Sequence, residues 1–262
     1  MLNFCSLYSG SSGNSLLVET ENTKLLVDAG VSSKKIENAL NDINIDPSSI
    51  DAILITHEHS DHVQGLGTFS KKFDLPVFVN QKTLDAMPKQ RDKIADKNIN
   101  KFNIRDTFDI GDLKIHPFSI PHDAANPCGF NIFKDNKKLS IATDIGNMTL
   151  DVLKCLEESE FILLESNYDL EVLKHSPYPY NLKRRIAGPH GHLSNELAGK
   201  TISHLLKSGL KNAMLGHLSK ESNFPELAYQ TVVDELIYNN YDENSISLSV
   251  ASRDEHSKII QI

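Results

Sequence analysis

Ile53-Leu54-Ile55-Thr56-His57-Glu58-His59-Ser60-Asp61-His62 decides how this chain is read. A short apolar run, the pattern of a buried strand, ends near Ile55, and His57, His59, Asp61 and His62 follow directly. Alternate residues of an extended segment share a side, so His57 and His59 can turn both imidazoles toward one ion. Asp61 and His62 fall where the loop enters the next helix, placed to face a second ion nearby. Imidazole combined with carboxylate suits zinc, manganese or iron rather than calcium. The alternative is an ordinary solvated loop. The strand, loop, helix context favours the ligand reading.

A two-metal site needs donors from elsewhere in the chain. His122 follows Ser119-Ile120-Pro121, Asp144 ends Leu139-Ser140-Ile141-Ala142-Thr143, and His217 follows Ala213-Met214-Leu215-Gly216. Each sits just past an apolar run, where loops held by a sheet carry function. Any one of them alone reads as a surface residue. Beside the first cluster they complete a donor set.

Composition narrows the classes. The chain has 262 residues, with 27 Lys+Arg against 35 Asp+Glu and a net charge of −8. Hydrophobic content of 39% with 24% charged residues excludes a disordered chain, a coiled coil and a collagen-like repeat. The acidic balance argues against a general polyanion binder, yet metal ions can supply positive charge locally. Three cysteines, Cys5, Cys128 and Cys155, at no metal-like spacing read as reduced thiols. No apolar run is long enough to span a bilayer, and the N-terminus has no signal-peptide pattern, so the expected location is cytoplasmic with no membrane partner.

Short apolar runs alternate with helical patterns throughout. Strands are expected at 2–8, 15–19, 24–28, 52–56, 76–79, 113–118, 129–133, 139–142, 161–164, 212–215 and 246–250. Helices are expected at 33–40, from Val63 to Phe73, and at 150–157, 194–206 and 225–238. Ser194 reads as an N-cap, and Pro225 stands at a first helical position, where its missing N–H costs nothing. With no linker or internal repeat, residues 1–262 read as a single α/β domain.

The series His57-x-His59-x-Asp61-His62, His122, Asp144, His217 resembles the metallo-β-lactamase superfamily, together with Asp28 in Leu25-Leu26-Val27-Asp28-Ala29-Gly30. The resemblance implies a four-layer αββα sandwich with a binuclear metal site. His57, His59 and His122 would bind one ion, Asp61, His62 and His217 the other, and Asp144 would bridge both. Asp28 would hold the ligand loop. Because this fold hosts many hydrolytic reactions, it does not settle the substrate.

Glu165, ending Phe161-Ile162-Leu163-Leu164, and His192, in Gly191-His192-Leu193-Ser194, narrow the choice. The pair resembles the phosphodiesterase branch, in which a carboxylate orients a proton-donating histidine. An alkoxide leaves poorly without a proton, so phosphodiester cleavage needs such an acid. The bland readings are a backbone-bonded helix residue for His192 and a surface carboxylate for Glu165. Closer still, Ser9-Gly10-Ser11-Ser12-Gly13-Asn14-Ser15, His122-Asp123-Ala124, Glu165-Ser166-Asn167-Tyr168-Asp169 and Leu215-Gly216-His217-Leu218-Ser219-Lys220-Glu221 look like the YycJ/WalJ (VicX) group. That resemblance implies a cytosolic nuclease acting 5′-to-3′ on duplex DNA ends, with a functional link to a cell-wall two-component system. The segment between Asp144 and His217 is too short for the β-CASP insertion of related nucleases. Substrate grip then falls to the core domain or to a second subunit in a homo-oligomer.

Two segments are candidate substrate contacts. Tyr180, Lys183, Arg184 and Arg185 combine an aromatic with basic residues able to stack bases and pair phosphates; a solvated helix end is the alternative. In the Gly/Ser turn, Ser11, Ser12 and Asn14 could offer donors to an anion, or form a plain hairpin turn. The expected function is therefore a nucleic-acid phosphodiesterase, most simply a 5′-to-3′ DNA exonuclease, using two divalent ions (Zn or Mn, with Fe compatible). Metal-activated water would attack phosphorus, Asp61 would position it and His192 would protonate the leaving oxygen. The alternatives are a small-molecule ester, thioester or lactone hydrolase, marked by an apolar pocket without a basic mouth, and a regulatory metal-binding module.

Overall fold

Leu16-Leu17-Val18 and Leu25-Leu26-Val27 are apolar at successive positions, so neither face of these strands can meet water. The computed structural model, which describes the backbone of residues 1–262 and the side chains of all but residue 243, covers both faces. Strands β1 (Asn3–Tyr8), β2 (Ser15–Glu19) and β3 (Lys24–Val27) pair antiparallel, and β4 (Ala52–Leu54), β5 (Val77–Asn80) and β6 (Ile99–Phe102) continue the sheet in parallel. In the second sheet, β7 (Phe108–Ile110), β8 (Leu113–Ser119), β9 (Cys128–Lys134) and β10 (Lys137–Ala142) are antiparallel. There β11 (Phe161–Glu165), β12 (Asn212–Gly216) and β13 (Ser247–Val250) follow β10 in parallel. A last strand, β14 (Ile260–Gln261), returns to pair with β1.

The period-two pattern then sorts the core. Val18, Leu25, Leu54, Phe130, Ile132, Phe161 and Leu163 fill the space between the sheets. Their neighbours Leu17, Leu26 and Ile53 point outward onto α1 (Ser33–Asp42) and, past the short α2 (Ser60–Val63), onto α3 (Leu66–Phe73). Of two further short helices, α5 (Pro88–Arg91) packs on α3, and α4 (Gln81–Ala86) packs on α5 and β5. On the other side, Ile162, Leu164 and Leu215 meet α6 (Leu150–Leu156) and, beyond α7 (Leu170–His175) and α8 (Tyr180–Ile186), the longer α9 (Asn195–Leu205) and α10 (Pro225–Tyr238). The result is helix, sheet, sheet, helix: the αββα sandwich. Each buried Leu or Ile contributes about 1.5–3 kcal/mol.

Ser194 caps α9 by accepting from the Leu197 amide, and Pro225 opens α10. The helix expected from Val63 to Phe73 is broken at Gln64–Gly65, because the Gly65 amide donates to the Ala29 carbonyl at 2.8 Å and ties the ligand loop to the end of β3. No strand was anticipated at β6, β7 or β14, nor a helix at α4, α5, α7 or α8. These are short and carry too few apolar residues to set a period.

Candidate metal centre

Parallel strands deliver their carboxyl ends to one side, and loops there are the usual place for a site. The ends of β3, β4, β10, β11 and β12 carry Asp28, the His57–His62 loop, Asp144, Glu165 and His217, and His122 joins them from the β8–β9 loop. Three of these end residues, Asp28, Asp144 and His217, adopt left-handed backbone with φ of 63°, 61° and 56°. Non-glycine residues hold that conformation at a cost of about 1–3 kcal/mol each, and such strain gathers at functional positions. The close approach of Gly30 fixes the ligand loop further: a methyl there would lie 1.6 Å from the Asp61 carbonyl oxygen.

Donor atoms gather in overlapping sets: His57, His59 and His122; His57, His62 and Asp144; Asp61, His62 and His217. A tetrahedral ion with bonds of about 2.0–2.1 Å sets neighbouring donors about 3.3 Å apart. His59 Nδ1 lies 3.2 Å from His122 Nε2, His217 Nε2 lies 3.3 Å from Asp61 Oδ2, and His62 Nε2 lies 3.1 Å from Asp144 Oδ2. Asp144 Oδ1 is 3.6 Å from both His122 Nε2 and His217 Nε2, which places this carboxylate between the two sets. Two buried atoms in the middle, His57 Nε2 and Asp144 Oδ2, have no hydrogen-bond partner. Orphaned acceptors of this kind are costly unless something else binds them. The donor set fits two divalent ions.

The remaining ring nitrogens are held in place. Asp28 Oδ2 is 2.7 Å from His62 Nδ1, while Thr56 donates to Asp28 through its amide (2.9 Å) and its hydroxyl (2.8 Å). His122 Nδ1 bonds the Gly191 carbonyl at 2.9 Å. Partners of this kind fix which nitrogen faces an ion and strengthen it as a ligand.

Charge follows from burial. Desolvation, then the neighbouring His62, holds His57 well below the usual histidine range, and burial likewise lowers His122. Burial also pushes down on His62 and His217, but the carboxylates override it. Asp144, Asp61 and Asp28 lift His62 well above its ordinary value, and Asp144, Asp61 and Glu165 push His217 up to about 10. Burial opposes ionisation of Asp61 and Asp144 too, yet these histidines hold both carboxyls well below the usual range. Carboxylates and imidazoles packed this closely offer a divalent cation several donors at once.

Glu165 is fully buried, so the surface-carboxylate reading does not hold. Its Oε1 is 2.8 Å from His192 Nδ1 and 2.9 Å from His217 Nδ1, and its Oε2 accepts from the amides of Ile145 (2.7 Å) and Leu193 (3.0 Å). One carboxylate therefore orients both His192 and His217.

A cavity of about 220 Å³ opens above the cluster, lined among others by Asp61, Asp144, His192, His217, Ser11 and Arg185. The other expected contacts lie elsewhere. Ser12 is exposed outside the cavity, Tyr180 is exposed beside Arg184, and Lys183 donates to the Lys174 carbonyl. Asn14 is turned inward rather than into the cavity: its amide group bonds the Gly10 backbone and the Asp61 carbonyl and lies 3.2 Å from His62 Nε2, bracing the turn against the ligand loop. Sequence reasoning missed Asn167, whose amide donates to the His217 carbonyl at 2.8 Å, and Tyr178 and Ser219, which line the cavity. The position of Asn167 two residues beyond Glu165 was the available signal.

The family model of the metallo-beta-lactamase superfamily matches residues 8–146. Exodeoxyribonuclease WalJ of Streptococcus pneumoniae serotype 2 (strain D39 / NCTC 7466) is 41% identical over 232 residues, covering 88% of this chain and 86% of that protein. Exodeoxyribonuclease YycJ of Bacillus anthracis is 38% identical over 231 residues, covering 88% of each. Among solved structures, the metallo-beta-lactamase fold protein YhfI from Bacillus subtilis superposes with a TM-score of 0.71 over 98% of this chain and 99% of that one, at 14% identity. That last likeness is one of fold. Layer order, the spacing of the ligand series and the convergence of its donors agree with these matches: the chain belongs to the metallo-β-lactamase superfamily, as a metal-dependent hydrolase closely related to WalJ and YycJ.

Proposed function

We propose that the chain is a binuclear phosphodiesterase that removes nucleotides from DNA ends, working from the 5′ end. The observation that carries this reading is the Glu165–His192 pair, 2.8 Å apart, with His192 on the wall of the cavity that Asp61, Asp144 and His217 also line. The names of the relatives WalJ and YycJ support it. Bound divalent ions would acidify a water and neutralise charge on the phosphoryl oxygens. The ligands in this reading are His57, His59 and His122 for one ion, Asp61, His62 and His217 for the other, and Asp144 for both.

The protein's own groups do the rest. Asp61 accepts a hydrogen bond from the attacking water and aims it. His192 protonates the leaving oxygen from Nε2, while Glu165 holds Nδ1 and stabilises the protonated ring. The cavity is small and lined mainly by charged and polar groups, which supports a phosphodiester over an apolar ester. The stretch from Asp144 to His217 is filled by α6, β11, α7, α8 and α9, so in this reading a single domain grips DNA and α8 supplies the positive rim. Zn²⁺ or Mn²⁺ are the ions proposed, with cytoplasmic residence, which the three free cysteines support.

The test is cleavage of end-labelled duplex DNA, single-stranded DNA and RNA by metal-loaded protein, with metal content measured alongside. Stepwise loss from the 5′ end of DNA is expected. His192→Ala should keep both ions and lose about 10²–10⁴-fold in kcat, whereas His59→Ala should lose metal as well. Fully loaded protein that cuts no strand would refute the proposal.

A further inference from the structure

Of the three basic residues on α8, Arg185 alone lines the metal cavity. Its guanidinium forms a two-pronged pair with Asp123, Nε to Oδ2 at 2.5 Å and Nη2 to Oδ1 at 2.9 Å. Asp123 directly follows the ligand His122, and its Oδ1 is 3.5 Å from His122 Nε2. The backbone closes the same ring from the other side. The Asp123 amide donates to the His190 carbonyl at 3.0 Å, His122 Nδ1 bonds the Gly191 carbonyl, and the His192 amide donates to the Ile186 carbonyl at 2.9 Å. Only glycine fits at 191, since a methyl there would lie 2.1 Å from the Arg185 carbonyl oxygen. The end of α8, a metal ligand and the proton donor are thus locked in one frame.

A guanidinium has five N–H donors in a rigid fork, and Asp123 takes one on Nε and one on Nη2, leaving three, two of them on Nη1. A fixed cation on the wall of the metal cavity suits an anionic oxygen group, and in a nuclease that group is the phosphate. We propose that Arg185 binds a non-bridging oxygen of the DNA phosphate in the cavity and that Asp123 is its positioning residue. Arg184 lies over the Tyr180 ring, 5.9 Å from its centroid, and Lys183 is tied to the Lys174 carbonyl; neither reaches the cavity. This division of labour rests on the nuclease reading above.

The experiment measures DNA affinity against salt in the metal-loaded His192→Ala background, so that DNA is held and not cut, and kcat and KM in the otherwise wild-type chain. Each phosphate contact adds about 0.9 to the log–log salt slope on duplex. Arg185→Gln should reduce that slope by about 0.9 with metal content unchanged. Arg185→Lys should keep the slope, because charge remains, yet lose kcat, because the fork does not. Asp123→Asn should keep metal and slope while kcat falls roughly 10- to 100-fold, as misplacing a substrate-holding group does. An Arg185→Gln variant with an unchanged slope, or an Asp123→Asn variant with unchanged kcat, overturns the clamp and leaves the nuclease reading standing. Wild-type protein that neither binds nor cuts DNA overturns both.

Discussion

Glu165 serves two histidines, so replacing it with the isosteric Gln separates the roles of its two oxygens. The carboxylate accepts four hydrogen bonds, from the amides of Ile145 and Leu193 at Oε2 and from Nδ1 of His192 and His217 at Oε1. A Gln amide can accept on one side only. Its NH₂ group must face either the two backbone amides or the two imidazole N–H groups, and in either orientation two buried donors lose their acceptor. Hydrogen bonds to a charged group are worth about 1.5–3 kcal/mol each, so two cost about 3–6 kcal/mol. Against a total stability of about 5–15 kcal/mol this is a large share, and the melting temperature should fall by roughly 6–24 °C. With the negative charge gone, and in one orientation the acceptor as well, His217 should also hold metal about 10- to 100-fold more weakly. Glu165→Gln should therefore lose stability, metal and turnover together, whereas His192→Ala loses turnover alone. The assay is a thermal melt with metal analysis on both variants. A Glu165→Gln protein with wild-type stability and two tightly held ions would refute the shared-carboxylate argument.

Asp28→Asn removes the charge beside His62 and accepts on one side only, losing either the Thr56 amide or both His62 Nδ1 and the Thr56 hydroxyl, and should weaken metal binding about 10- to 100-fold in a chelator competition. Gly30→Ala would drive a methyl into the Asp61 carbonyl and should destabilise the fold by about 3 kcal/mol in urea unfolding, displacing the ligand loop as it does. Stripping the metal should expose a pH dependence. With His217 raised to about 10 in the metal-free fold and near 6.5 when unfolded, its stabilisation is complete below about pH 6.5 and fades as pH climbs through about 10. The raised His62 adds to the same slope. Urea melts of metal-free protein should weaken across that window, and those of loaded protein, whose His217 is a neutral imidazole with Nε2 committed to the ion and only Nδ1 protonated, should not.

The ligand series was legible because chemistry and spacing coincide: His57, His59, Asp61 and His62 follow a strand directly, and His122, Asp144 and His217 each stand just past an apolar run. The strands were legible for the same physical reason, since layers buried on both faces need unbroken apolar runs. What sequence could not give was direction. Asn14 and Ser11 share one turn, yet Asn14 braces Asp61 from inside while Ser11 faces the cavity, a difference set by a tight Gly10–Gly13 turn that contacts the ligand loop. Nor could spacing tell that Glu165 is fully buried with four donors on it, or that Arg185 alone among its basic neighbours turns inward. Those facts depend on how α8 docks, and α8 has too few apolar residues to set a period.

The two sheets repeat one plan. Each has three antiparallel pairings and then three parallel ones, with helices between the parallel strands. In that plan β3 corresponds to β10; Asp28 is the first residue past β3 and Asp144 the second past β10, both left-handed, with φ of 63° and 61°. The same turn at the end of the same strand delivers a carboxylate from each half, and the two grip one ring: Asp28 Oδ2 at His62 Nδ1, Asp144 Oδ2 at His62 Nε2. Their surroundings give them different work. Thr56 fills Asp28 with two donors, so Asp28 is committed to holding the ring. Asp144 Oδ2 accepts no hydrogen bond, and its 3.1 Å neighbour His62 Nε2 is itself a metal-donor atom, which leaves both for an ion. The first half contributes His57, His59, Asp61 and His62, the second His122, Asp144 and His217, so ions bound there join the two halves at the edge where they meet. A backbone repeat without a sequence repeat follows from that division, because apolar strand runs separated by amphipathic helices are all the plan requires, while the residues at the strand ends answer to the chemistry.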